Sequence, residues 1–225
     1  MDRQAIRKPD VVVATPFDQQ QHDNSAYDAR FRRLLDAEDW AGLPPAVQRR
    51  FSKRIEGAKV AIYPGEISLA RFSLLGRVLS QLCRVIGAPL PLHKDVGVPA
   101  AVSVSEDVQS GGQCWTRVYG RSRGFPQVIH SAKRFAGPSG LEEHIGGGIG
   151  MALRVSAIDG GFEFRSDHYF MHLFGMRVRL RRWLEPGVTV VRHEDMGEGA
   201  FLFSLDLRHP LLGELVHQEG VFRDA

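Results

Sequence analysis

The chain has 225 residues, of which 43% are hydrophobic and 24% charged, and its net charge is only +3. These values exclude a disordered chain, and the charge is too thinly spread for a nucleic-acid surface. No stretch approaches the ~20 apolar residues of a helical membrane span. A chain of this length buries roughly 70% of its unfolded surface and folds without staples, so Cys83 and Cys114 are expected as free thiols in a reducing, cytoplasmic setting.

Residues 1–25 are polar and aperiodic, with a Gln19–Gln21 run, and predict a mobile leader or an arm that orders on a partner. The apolar run Val11–Ala14 is too short for a secretory signal. Residues 26–225 read as a single α+β domain, helical over 26–97 and an antiparallel sheet over 98–225. Phe31, Leu34, Leu35 and Trp40 form an apolar stripe. Leu43-Pro44-Pro45 breaks that helix, and a proline opens a second one ending near Phe51. Lys59–Tyr63 reads as a strand stopped by Pro64-Gly65. Glu66–Ile86 reads as the strongest helix, with Leu75, Leu79 and Leu82 expected in the core, ended by Gly87, Pro89 and Pro91.

Near Val98 the hydrophobic period changes from helical to two. Met176, Val178 and Leu180 alternate with Arg177, Arg179 and Arg181; Phe201, Phe203, Leu205 and Leu207 alternate with Leu202, Ser204, Asp206 and Arg208. Successive strand side chains point to opposite faces, so the pattern predicts antiparallel strands with two chemically different faces. Turn signals recur about every ten residues, Asp159-Gly160 being a tight-hairpin signal, and this spacing predicts a strongly curved, barrel-like sheet packed against the N-terminal helices.

A closed or curved sheet has an inside. One strand face carries Trp115, Arg117 and Tyr119, and the next carries Ile129, Ser131, Lys133 and Phe135. Turned inward, such faces form an amphipathic pocket. Turned outward, they are a solvated surface with scattered aromatics. The candidate ligand-binding residues are therefore Trp115, Arg117, Ser131, Lys133 and Phe135, with Glu142 at the rim. Glu142, Glu143 and His144 are candidate acid–base groups, because paired carboxylates beside an imidazole transfer protons when burial shifts their pKa values. The bland reading is a charged strand end before a flexible glycine loop. Gly146–Gly150 is not a dinucleotide fingerprint. His168 and His172 lie i, i+4, but in a strand that is ~13 Å, too far to share an ion. No metal or cofactor is expected. The arginine stripe Arg177, Arg179, Arg181 and Arg182 could bind an anion or an acidic partner, but reads more simply as charge protecting an exposed edge strand.

The residues Phe31…Leu35…Asp39-Trp40…Leu43-Pro44…Arg50-Phe51 resemble the opening of bacterial proteins catalogued as domain of unknown function 4166. Trp115-Thr116-Arg117, Ser131–Phe135, Gly140–Glu143, Gly148–Met151, Trp183–Gly187 and His209–Leu215 are similar to the family's later segments, in the family's order. The resemblance runs from about Phe31 to Phe222 and implies no catalytic residue. Such domains stand alone or are joined to NAD-binding oxidoreductase modules, a context that fits a domain holding or delivering an apolar substrate.

The reading that emerges is a binding module for a small, mostly apolar ligand with an anionic end, held by Arg117 and Lys133 and lined by Trp115 and Phe135. Its rivals are an enzyme using Glu142, Glu143 or His144, and an accessory protein docking on an NAD-dependent oxidoreductase. No nucleic-acid partner and no membrane span are expected.

Overall fold

The structure, a computed structural model, describes residues 27–57 and 59–224, so the expected leader at 1–25 lies outside the described residues. Three short α-helices are present among the described residues: α1 (Ala37–Gly42), α2 (Pro45–Phe51) and α3 (Leu74–Leu82), the last continued by a 3-10 turn at Cys83–Ile86; two more 3-10 turns lie at Arg32–Leu34 and Arg182–Leu184. The strands are β1 (Ala61–Phe72), β2 (Val98–Asp107), β3 (Gly112–Tyr119), β4 (Gln127–Arg134), β5 (Glu142–Gly146), β6 (Ile149–Ile158), β7 (Gly161–Leu173), β8 (Met176–Arg179), β9 (Val188–Gly197), β10 (Ala200–His209) and β11 (Gly213–Arg223). Their order is β6-β5-β4-β3-β2-β1-β11-β10-β9-β7, and β6 also pairs with β7, which closes ten antiparallel strands into a barrel. β8 hangs from the far half of β7 and pairs with Phe170–Leu173.

Local sequence fixes the hairpins. Asp159-Gly160 makes the two-residue β6–β7 turn, with Gly160 at φ 73°, the left-handed conformation such turns need. Two expectations from helical spacing are corrected. Glu66–Phe72 is strand, not helix: β1 continues through Pro64, and its register shifts between Ile67 and Leu69. That bulge puts the buried residues Ile67, Ala70 and Phe72 at steps of three and two, which imitates helical spacing. The helix proper begins after Ser73, whose Oγ accepts the Gly76 N–H at 3.0 Å.

The second correction concerns what α3 buries. Its small residues Gly76 and Ser80 face the barrel, and a Cβ at position 76 would run into the Leu215 carbonyl. Close approach therefore turns the leucines away: Leu75 and Leu82 are exposed, and Leu79 is only partly buried.

The two barrel ends are closed differently. At the end carrying the β6–β7 and β9–β10 turns, the N-terminal helices form an aromatic plug. Phe51 stacks on Phe162 at 4.5 Å, and Phe31 meets Phe51, Phe135 and Phe164 edge-on. Arg50 lies 3.8 Å over the Phe201 ring and pairs with Asp224 at 2.7 Å. At the other end, α3 and its 3-10 extension cross the barrel mouth. They start against Leu215 on β11 and finish at the β5–β6 turn, where Gly146 and Gly147 leave room for Ile86. β11 and β5 are five strands apart either way round the ring, so this segment spans the mouth.

Phe162 is fully buried in the plug, whereas Leu82 is 65% exposed. Phe162→Ala should cost about 3–5 kcal/mol in urea melts, and Leu82→Ala less than about 0.5 kcal/mol. The reverse order would mean that α3 packs through its leucines.

Candidate functional site

Alternation along β3 turns Gln113, Trp115, Arg117 and Tyr119 inward and leaves Cys114, Thr116 and Val118 on the outer face. On β4, Ile129, Ser131 and Lys133 are the buried set. Antiparallel register sets Trp115 opposite Ser131, Gln113 opposite Lys133, and Lys133 opposite Glu143 of β5. Two cations, a hydroxyl and a carboxylate thus meet inside a ring whose other inward residues are mostly aromatic or aliphatic.

The charges there are coupled. Lys133 Nζ donates to Glu143 Oε2 at 3.0 Å; Arg117 Nη2 donates to Ser131 Oγ and lies 3.5 Å from Glu143 Oε1. The Lys133 ammonium also lies 4.8 Å from the Trp115 ring centre and 5.2 Å from that of Phe164, close enough for cation–π attraction. Burial alone raises the pKa of Glu143, but Lys133 and Arg117 outweigh it and hold the carboxyl at about 2. Lys133 moves down from the ordinary lysine value, because desolvation and the like charge of Arg117 exceed the pull of Glu143. His193, buried against the same cluster, is kept neutral chiefly by desolvation and then by Arg50. Arg117 Nε is buried without an acceptor.

Beside this cluster lies a cavity of about 70 Å³. Arg117, Ser131, Glu143, Tyr169 and Thr189 make its polar wall, and Ile145, Met151, Val191, Leu205 and Leu207 its apolar one. Cys83, Pro89 and Leu90, from the segment crossing the mouth, form the roof with Pro186. The Tyr169 hydroxyl is 2.6 Å from Thr189 Oγ1 and, desolvated, has its pKa pushed up to about 12. Cys83 and Cys114 are both free, and burial raises the pKa of each thiol.

Of the residues singled out from sequence, Trp115, Arg117, Ser131 and Lys133 come together inside the barrel. Neither Trp115 nor Lys133 is on the cavity wall: Lys133 stands behind Glu143, and Trp115 packs against the Lys133 ammonium. Phe135 lies past the end of β4 and packs in the plug against Phe31, with Arg30 4.4 Å over its ring. Glu142 is not at the rim. It faces outward, clamped by Arg177 at 2.9 Å and His144 at 3.4 Å. Neighbouring strand residues point oppositely, so inward Glu143 requires outward Glu142 and His144. His144 stacks on His172 at 5.8 Å under the β8 flap.

Sequence reasoning missed Glu143 as the inward carboxylate, as well as Tyr169, Thr189 and the roof. It also missed that the β10–β11 hairpin brings Asp206, Glu214 and His217 together, with ligand atoms within 4.8 Å of one another. Arg192 already engages Asp206, Arg71 and Arg208 flank Glu214, and His217 bonds both Asp206 and Glu219. An open groove of about 810 Å³ lies outside the barrel, between β9–β10 and residues 182–187. Its arginines 165, 182, 192 and 208 are interleaved with Asp167, Glu185 and Asp206, so it offers no cavity of one sign.

The family described as Domain of unknown function (DUF4166) matches residues 43–222. The chain belongs to that family. The match takes in the whole barrel up to Phe222 and α2 of the plug, and therefore every residue of the charged cluster and the cavity wall. No curated protein and no solved structure matches the chain. No helix among the described residues is long and apolar enough to cross a membrane. Membership of the DUF4166 family brings no assigned chemistry, and the site must speak through its geometry.

Glu143 supplies the first test. Its folded pKa of about 2 lies below the ordinary 4.5, so it contributes stability above pH 4.5 that is lost as pH falls towards 2. That contribution is about 3 kcal/mol at neutral pH. Glu143→Gln should lower stability by about 3–5 kcal/mol at pH 7, leaving Arg117 and Lys133 uncompensated, and should flatten the acid limb of a stability-versus-pH curve. An unchanged acid limb would mean that Glu143 is not the paired carboxylate.

Proposed function

We propose that this DUF4166 protein binds a small, mostly apolar molecule with an anionic end in the barrel cavity. The observation that carries this reading is the sorting of the cavity wall. One side is aliphatic, and the other presents Arg117, Ser131, Tyr169 and Thr189 together with Glu143, whose charge Lys133 and Arg117 already neutralise. Two buried cations, Arg117 and Lys133, share the single carboxylate of Glu143, and Arg117 Nε has no acceptor. Buried guanidinium N–H groups are costly without a partner. A ligand carboxylate or similar anion supplies both the acceptor and the balancing charge.

Binding is favoured over proton transfer by the state of the carboxylates. An acid–base role calls for a carboxyl poised near neutral pH, whereas Glu143 is held at about 2 by its cations. Glu142 and His144 lie outside the cavity. At about 70 Å³ the cavity takes only a few heavy atoms, so a longer apolar tail extends by displacing Leu90 and the rest of the roof.

Calorimetry with a series of n-alkyl carboxylates and the matching n-alkyl alcohols tests the reading. Carboxylates should bind at least ~10-fold tighter than alcohols, a difference of about 1.4 kcal/mol. Arg117→Met, which keeps volume and removes charge, should erase that preference while leaving alcohol binding in place. Bound carboxylate should also slow labelling of the Cys83 thiol in the roof. Equal affinity for both series, or a preference that survives Arg117→Met, would overturn the proposal.

A further inference from the structure

The segment that roofs the cavity has a second apolar face. At 100° per residue, Leu74, Leu75, Val78, Leu82 and Val85 fall within an arc of about 100° on the outer side of α3 and its 3-10 extension. They are exposed, Leu74 by 77% and Val85 by 91%. Gly76, Ser80 and Cys83 take the inner side, and Arg77 and Arg84 flank the apolar arc. A helix in a water-soluble surface normally has the opposite arrangement, with its leucines inward.

The surrounding rim repeats the pattern. The strand topology brings the β3–β4, β7–β8 and β10–β11 connections and the turn before β9 to this same end. They carry exposed Phe125, Phe174, Trp183, Leu184, Leu211 and Leu212. Phe174 is 98% exposed at the tip of the β7–β8 hairpin and sits at φ 50°, a backbone state that favours Asn or Gly over a bulky residue. Among the described residues, the plugged end exposes scattered apolar side chains such as Val108 and Met196. Among the apolar residues stand exposed Arg77, Arg84, Arg123, Arg179, Arg181 and Arg182. Among the described residues none of these has a carboxylate within ion-pair distance. With a net charge of only +3 over the chain, this cationic excess is local.

We infer that the roofed end of the barrel docks on an anionic lipid bilayer. Aromatic and leucine side chains interleaved with arginine are the composition of an interfacial surface, in which apolar tips enter the acyl boundary while guanidinium groups meet lipid phosphates. The geometry favours a fluid partner: the tips come from a helix, a hairpin, a 3-10 turn and two loops around a barrel end, not from the walls of one groove. Charge argues against a second copy, because face-to-face association would set arginine against arginine. The inference stands independently of ligand binding in the cavity, although the roof belongs to both.

Flotation of the full chain with vesicles tests it. The protein should float with mixed phosphatidylcholine–phosphatidylglycerol vesicles, at least ~10-fold more weakly with phosphatidylcholine alone, and should be released near 1 M salt, where the Debye length shrinks to about 3 Å. The double variant Val78→Gln, Leu82→Gln should lose at least ~10-fold in binding with an unchanged melting temperature, as should Arg181→Glu, Arg182→Glu, whereas Val108→Gln at the plugged end should bind normally. Any of four results would overturn the inference: no flotation, equal binding to neutral vesicles, full binding by the double variants, or a dimer in light scattering that Val78→Gln, Leu82→Gln dissociates. Because alkyl-carboxylate binding is measured without vesicles, either reading can fail while the other stands.

Discussion

The pairing of β6 with β7 is the contact on which the rest of the molecule depends. Without it the sheet would be a long open curve whose polar inward groups meet water. With it, every second residue of ten strands faces a closed interior. In that interior Lys133, Glu143 and Arg117 cannot be solvated individually and must satisfy one another. β7 makes the closure possible by serving several partners. Its first half bridges β6 and β9, and its second half continues past β9 to carry β8. A register shift opposite Ala152 and Leu153 marks the change, and it lets Ser166 and Tyr169 both face inward although they are an odd three positions apart.

The two ends of the barrel solve the same problem with different materials. The plug uses large rings, whose edge-to-face contacts fill volume and fix geometry. The mouth uses a helix that approaches the barrel closely through Gly76 and Ser80, with Leu79 partly buried and Cys83 over the cavity, and that ends in the room left at Gly146 and Gly147. Dense aromatic packing makes the plugged end the stable one. The roof contributes few large buried side chains, which by the ordinary link between burial and local stability makes it the easier part to displace. The cavity lies directly beneath it.

Much of this was legible in the sequence, and the failures have physical causes. Alternation after Val98 identified the strands, and the faces of β3 and β4 followed from period two alone. The β1 helix error arose because a bulge adds one residue to the period, and nothing local distinguishes that from a helical step. The inward carboxylate was placed one residue off, because the parity of β5 depends on its register against β4, which the loop over 135–141 sets and the sequence does not reveal. Phe135 continued the β4 alternation on paper, but the strand ends at Arg134 and the side chain joins the plug. The roof was invisible for a different reason: its placement is tertiary. The one readable sign was chemical, the small residues Gly76, Ser80 and Cys83 on one side of a leucine-rich helix, which mark the side that approaches a backbone closely.

That same sign explains why the mouth-crossing segment is apolar on both sides. A helix that seats through Gly76 and Ser80 leaves its outward leucines no core to enter, and water is a poor home for Leu74, Val78, Leu82 and Val85 together. The exposure is not forced by the fold, since polar residues there would leave the contact with Leu215 untouched. Some gain must therefore offset it, and a surface that covers those side chains is the direct one. If covering them also draws the segment outward, Cys83, Pro89 and Leu90 move with it, because all lie within eight residues of Leu82 along the chain. The cavity would then widen on the side of the roof, where its apolar wall includes Leu205, Leu207 and Met151.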